Sequence, residues 1–372
     1  MANTRLFELI AALETVAPPA YQESYDNARL LTGDPGMAVT GVLCCLDSTE
    51  AVVAEAIENG CNVIVAHHPI LFGGIKSLTG RTYVERTLLA AIRADIAIYA
   101  IHTNLDNVLA GVNNRLADAI GLSAERGSRR ILAPKAGLLS KLVTYVPHAQ
   151  AEAIRKALFN AGAGVISDYD HCSFNLTGTG TFRGSEDSQP HLGEPGKDHS
   201  EPETRVEVIL PQHLEGSVLA ALQQAHPYEE VAHDLVPIRN AHPRVGSGLL
   251  GRLSAPESEA DFLDRLRDKL QVPVVRHTAL RGKPVETVAL CGGAGFFLLP
   301  KAMRANADAF VTADVKYHEF FDADGQILLA DVGHFESEQY TIGLLADTLR
   351  EKFGNFAVRS AGARTNPVFY RT

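Results

Sequence analysis

Apolar residues recur at helical spacing at the start of the chain, at Leu6, Leu9, Ile10, Leu13 and Val16, and Pro18-Pro19 ends the run. From Gly41 the pattern alternates. Short apolar stretches at 41–47, 62–67 and 96–102 read as buried strands, and segments at about 50–59, 82–95 and 112–122 read as helices. That β-α-β-α-β-α order predicts a mostly parallel sheet with helices on its faces. The far end repeats the style. Segments 285–291, 308–314 and 326–331 are strand candidates; helical stretches follow the first two, and a long helix from about Glu336 to Lys352 follows the third.

The middle changes character. Strands are expected at 141–148, in one or two pieces over 164–181, at 205–210 and at 229–238, with helices at 149–161 and 212–225. This β-α-β-β-α-β order is ferredoxin-like. Its centre, 184–203, is rich in Gly, Pro, Ser and charge and reads as a mobile loop holding a solvated His191 and His199. The expected fold class is therefore α/β: two mostly parallel-sheet lobes (1–128 and 244–372) forming one core, interrupted by an inserted α+β domain (129–243).

Composition narrows the classes. With 372 residues, 46% hydrophobic and 21% charged, the chain is globular and sized for two or three domains. A net charge of 34 − 44 = −10 argues against a nucleic-acid partner bound by bulk electrostatics. Five scattered cysteines give neither a disulfide framework nor a CxxC zinc ribbon. Glu8 and Glu14 interrupt the first apolar run as no secretory leader would, and no uncharged stretch is long enough to span a bilayer. A soluble, cytoplasmic protein is expected.

Parallel sheets place chemistry at the carboxyl ends of their strands. There the sequence has His67-His68, then His102 with Asp106, Asp314 with His318, and Asp331 followed by His334 and Glu338. His334 and Glu338 stand four apart at a helix start and share a face. His67 and His68, in a turn before Pro69, can diverge toward two ions, with Asp106 adding charge and Glu338 bridging. Three imidazoles and two carboxylates suit Zn, Fe or Mn alike. Cys291-Gly-Gly-Ala-Gly295 is either an anion-binding nest or a tight turn, and His226-Pro-Tyr-Glu-Glu230 is a packing corner or a ligand site, of which packing is favoured.

These pieces together resemble the NIF-three-like dinuclear metal-centre family, also called GTP cyclohydrolase I type 2 homologs. The match includes Ser24-Tyr-Asp-Asn27, Asp47-Ser-Thr49, Ala66-His-His-Pro69, His102-Thr-Asn-Leu-Asp106, Thr312-Ala-Asp-Val-Lys-Tyr-His318 and Gly333-His-Phe-Glu-Ser-Glu338. In the insert, Gly178-Thr-Gly-Thr-Phe-Arg183 and His226-Pro-Tyr-Glu-Glu230 look like the longer bacterial members. Tyr25 departs from a common Trp, and Ala313 from a common Gly. The resemblance implies two divalent metal ions per chain on His67, His68, Asp106, His334 and Glu338. It puts His102, Asp314 and His318 nearby, as a general base or in ligand-orienting roles. It also implies two related lobes, a PII-like or CutA-like insert and a toroidal homohexamer.

Paired divalent ions activate water, so a metal-dependent hydrolase is the chemical default, and the family label suggests attack on the imidazole ring of GTP. No motif reads guanine or triphosphate. A phosphoesterase, or a metal-dependent regulatory or assembly protein whose insert senses a small ligand, stands as the alternative.

Overall fold

The opening apolar spacing becomes helix α1 (Leu6–Val16), with Leu6, Leu9 and Leu13 buried, and Pro18 and Pro19 turn the chain out of it. The structure is a computed structural model that describes residues 4–371. The chain forms two compact units, one running to Ala133 and resuming at Arg244, the other Pro134–Pro243.

In the first unit β1 (Leu30–Thr32) precedes β2 (Gly41–Cys45), α2 (Glu50–Glu58), β3 (Val63–Ala66), α3 (Tyr83–Arg93) and β4 (Ala97–Ala100). Every residue of β2, β3 and β4 is buried, as expected of strands covered on both faces. The Thr49 and Thr82 hydroxyls accept from the backbone amides of Val52 and Glu85, which fixes where α2 and α3 begin. A one-turn helix α4 (Thr103–Asp106) follows, then α5 (Val112–Ala119) and β5 (Arg130–Ala136).

The second unit runs β6 (Leu139–Pro147), α6 (Ala151–Asn160), β7 (Phe174–Arg183), β8 (Asp198–Pro211), α7 (Glu215–Ala225) and β9 (His233–Ile238). Its sheet order is β7-β8-β6-β9, antiparallel at each pairing. The expected element order is present. The loop expected over 184–203 is shorter, because β8 starts at Asp198 opposite Arg183 and ladder pairing overrides the polar composition. His199 is consequently a strand residue opposite Phe182, partly buried, while His191 is exposed. Of the stretch 164–181, only the part from Phe174 is strand.

The chain returns through β10 (Ala241–Glu257), α8 (Glu259–Leu270), β11 (Arg276–His277), β12 (Val285–Leu290), α9 (Leu299–Arg304), β13 (Ala309–Thr312) and β14 (Leu328–Asp331). It ends with α10 (His334–Glu338), α11 (Thr341–Lys352) and β15 (Ala357–Ser360). The single helix expected from Glu336 is thus two helices, the first starting at His334 after a Gly333 whose φ is +87°. After β13 the chain makes a 3-10 turn, Tyr317–Ala323, in place of an α-helix.

One sheet has the order β1-β4-β3-β2-β15, parallel except for β1. The other has the order β11-β14-β13-β12-β10-β5, with β12, β13 and β14 parallel and antiparallel strands β11 and β10 beside them. Strands β5 and β10, which lead out of and back into this unit, are neighbours in that sheet. Joining Ala133 to Arg244 by a short Gly/Ser linker is therefore expected to leave a soluble, folded protein, checked by circular dichroism and a cooperative thermal transition. An insoluble product would make the second unit integral to folding.

Candidate metal centre

The strand-end rule assembles one cluster within the first unit. Asp47 follows β2, His67 and His68 follow β3, His102 and Asp106 follow β4, Asp314 follows β13, and His334 and Glu338 are carried by α10 after β14. Four imidazoles are each anchored through Nδ1. His67 donates to the Ile101 carbonyl at 2.9 Å, His68 to Asp47 Oδ1 at 2.7 Å, His102 to Asp26 Oδ1 at 2.9 Å and His334 to Asp314 Oδ2 at 2.7 Å. Because every partner is an acceptor, each Nδ1 carries the proton, and Nε2 is the atom left for a ligand.

Those Nε2 atoms meet carboxylates. Glu338 Oε2 lies 3.0 Å from Nε2 of both His68 and His334. His67 Nε2 is 3.5 Å from Asp106 Oδ1, and both atoms are buried without a hydrogen-bond partner. His67 is fully buried, which pushes its pKa down to about 3, so Nε2 offers a bare lone pair toward an oxygen. Burying two such atoms unsatisfied is costly, and a cation between them removes the cost. Ligand atoms fall into three overlapping groups, each within 4.8 Å: His67, His68 and His102; His68, His334 and Glu338; and His67, Asp106 and Glu338. The donor set fits a divalent metal.

Charges in the metal-free protein follow from the same contacts. Burial works against protonated His68 and His334, but hydrogen bonds to Asp47 and Glu338, and to Asp314 and Glu338, outweigh it and raise them to about 9 and about 11. Glu338 is held well below its usual range by those two imidazoles despite its burial. Asp106 is pushed up by burial and by the charge of Glu338.

The glycine segment after β12 is explained by this geometry. A Cβ on Gly293, whose φ is +62°, would collide with Glu338 Oε1. The Gly293 amide donates to Ser337 Oγ at 2.9 Å and the Gly292 amide to Asn113 Oδ1 at 3.0 Å, so neither is left to nest an anion. The segment is a close-approach turn.

Of the residues singled out in the sequence, His318 is not brought in. It is exposed on the 3-10 turn, its ring beside Tyr317 and Phe321, outside the cavity that the cluster lines. Two orienting carboxylates, Asp26 and Asp47, carry no role in the sequence reading. Asp47 had two signals, its place after a strand and in the motif Asp47-Ser-Thr49; Asp26 lies in an irregular segment, where its one signal was the motif Ser24-Tyr-Asp-Asn27. Asp47 also accepts from the Thr365 hydroxyl at 2.7 Å.

The cavity has a volume of about 1000 Å3. Exposed Tyr25, Phe72, Phe297 and Val368 line it, as does the cationic Arg276, whose guanidinium donates to Asp331 at 3.0 Å and to the Val315 carbonyl at 2.9 Å. Among the described residues, no helix is long and apolar enough to cross a membrane.

The family model described as Duf34/NIF3 (NGG1p interacting factor 3) matches residues 4–367. A Mycobacterium tuberculosis protein named GTP cyclohydrolase 1 type 2 homolog is 37% identical, over 98% of this chain and 97% of its own length. One of the same name from Halalkalibacterium halodurans is 36% identical, over 97% and 98%. The crystal structure of a Bacillus cereus protein related to NIF3 superposes with a TM-score of 0.87 at 34% identity, covering 100% of both chains.

Proposed function

The chain belongs to the Duf34/NIF3 family, and on that premise we propose that its strand-end cluster is a dinuclear divalent metal centre serving a hydrolase. The observation that carries the reading is the common orientation of the imidazoles, Nδ1 tied outward and Nε2 turned toward Glu338 and Asp106. His67, Asp106 and Glu338 would hold one ion, and His68, His334 and Glu338 the other, with Glu338 shared. Zn, Fe and Mn all suit these donors. Two ions so held supply water activation and Lewis-acid polarisation of the bond under attack.

The chain's own groups do the rest. Asp47 and Asp314 fix the rings of His68 and His334. His102, held at Nδ1 by Asp26, would take and return a proton at Nε2. Arg276 lines the cavity, and its guanidinium would meet an anionic small-molecule substrate. The substrate reading follows the relatives' name: hydrolytic opening of the GTP imidazole ring with release of formate. The remaining parts of the proposal are a cytoplasmic, toroidal homohexamer and a ferredoxin-like insert of PII or CutA type, the last supported by the strand order β7-β8-β6-β9.

Metal-loaded protein incubated with GTP should release formate and a ring-opened triaminopyrimidine, detected by mass spectrometry. Phosphate release from a simple phosphoester, with neither of those products, would make it a phosphoesterase. Turnover of nothing across nucleotides and phosphoesters would favour the regulatory reading. Light scattering should give six times the chain mass; a monomer would refute the ring.

Metal uptake should also release protons. His68 and His334, raised to about 9 and about 11, are imidazolium near neutral pH and must be neutral to bind. Loading at pH 7 should displace about two protons per chain from these rings, besides any held by the raised Asp106, read with an indicator dye in weak buffer, and affinity should rise with pH from 6 to 8. Uptake without proton release would mean that these rings are not the ligands.

A further inference from the structure

Two motifs play no part in the metal centre: Gly178-Thr-Gly-Thr-Phe-Arg183 and His226-Pro-Tyr-Glu-Glu230. Both belong to the second unit, and residues of both wall one cavity of about 780 Å3. Along β8, Val206, Val208 and Leu210 pack with Ile154 and Leu158 of α6 and Val218 and Leu222 of α7. Alternation therefore turns Glu203 and Arg205 to the opposite face of the sheet, where they line this cavity.

Glu203 is only 7% exposed, an unusual place for a carboxylate with no cation paired to it among the described residues. Its Oε1 accepts from the Tyr228 hydroxyl at 2.8 Å. Its Oε2 lies over Gly180 on the neighbouring strand, where a Cβ would collide with it. Glycine in the strand interior weakens β7, and here it makes room for the carboxylate. The Tyr228 ring that holds Glu203 sits among others: its centroid is 6.3 Å from that of Phe182 and 6.2 Å from that of His191, both lining the cavity, and 4.9 Å from that of His226. A desolvated carboxylate among ring faces recognises a cation that also carries N–H donors. Two residues along the same face, the Arg205 guanidinium pairs with Glu207 at 2.9 Å, while its Nε is buried without a hydrogen-bond partner and is the N–H left for a carboxylate on the same ligand. Among the described residues, none of the groups of side chains suited to a metal ion includes Glu203, and aromatic walls suit an organic cation.

We propose that this cavity binds a small organic ammonium, with Glu203 as its counter-ion and Tyr228 and Phe182 as the walls. The site stands on the second unit alone and is independent of the reading of the metal centre.

Calorimetric titration of the full chain with putrescine, lysine and acetate tests it. At least one of the two amines should bind saturably at one site per chain, and Glu203→Gln should weaken it about 10-fold or more. Gly180→Ala keeps the charge but crowds Oε2; it should weaken binding too, and it decides the matter if the glutamine variant misfolds. Lysine alone would indicate a zwitterion using Arg205, and putrescine as well would indicate the ammonium by itself; both uphold the site. Failure of both amines, full binding in both variants, or acetate binding as tightly as lysine would overturn it. Chelator-stripped protein should bind the amine unchanged, which separates this result from the fate of the metal centre.

Discussion

Replacing Glu338 with alanine is expected to empty the metal centre. The carboxylate touches the Nε2 atoms of His68 and His334 at 3.0 Å and belongs to both carboxylate-containing ligand groups, so its loss strips a donor from each ion. Elemental analysis should fall from about two ions per chain to well under one. His199→Ala, on β8 in the other unit, should change nothing. Wild type holding one ion or fewer, with Glu338→Ala the same, would reject the centre. Metal-free protein gives a second readout. Glu338 raises His68 and His334, so the stability it confers through them is full below about 6.5, their unperturbed value, and is lost as pH rises through about 9 and then about 11. Its own depressed pKa adds stability that is present above 4.5 and lost as pH falls below it. The alanine variant should therefore be most destabilised near pH 5 to 6, by about 3 kcal/mol, with the deficit shrinking above pH 9. A deficit independent of pH would mean that the carboxylate does not pair with these rings.

Gly293→Ala is expected to damage the centre more than the fold. An L-residue at φ +62° costs about 1 kcal/mol, a loss of a few degrees in melting temperature. The new methyl group has to displace Glu338 Oε1, and that carboxylate is fixed by two imidazoles. Metal affinity should drop about 10- to 100-fold, as when a ligand loses its support. Gly292→Ala is the milder comparison: its nearest contact would be Glu338 Cγ at 3.2 Å, without a left-handed φ. Equal affinity in all three proteins would show that the glycine turn does not shape the site.

The sequence announces most of the buried strands, because β2, β3 and β4 are apolar at every position and need no partner information to be seen. It also points to the cluster, since strand ends are where loops converge. Edge elements are less legible. Strands β1, β11 and β15 have two to four residues and exist through pairing with strands distant in sequence, β15 lying beside β2. Helix α8 was readable, with Ser258 capping the Asp261 amide and Phe262, Leu266 and Leu270 on one face, but strand–helix alternation alone leaves it unassigned. The break between α10 and α11 has no Pro or Gly to mark it. Spacing along the chain cannot say that His318 is carried away on a 3-10 turn, nor that Asp26 comes within 2.9 Å of His102.

His68 and Glu338 touch across 270 positions of sequence, and this sets an order of events during synthesis. At ribosomal speeds His67, His68, His102 and Asp106 emerge roughly 10 to 55 seconds before Glu338. During that interval the nascent chain carries an imidazole-rich half-site lacking the one carboxylate that both ions would share. Imidazole alone favours copper and nickel more than a set with carboxylates does. If the cluster holds the proposed ions, the choice of metal would therefore fall late, to the finished polypeptide, and a chain truncated before α10 would be open to the wrong ion.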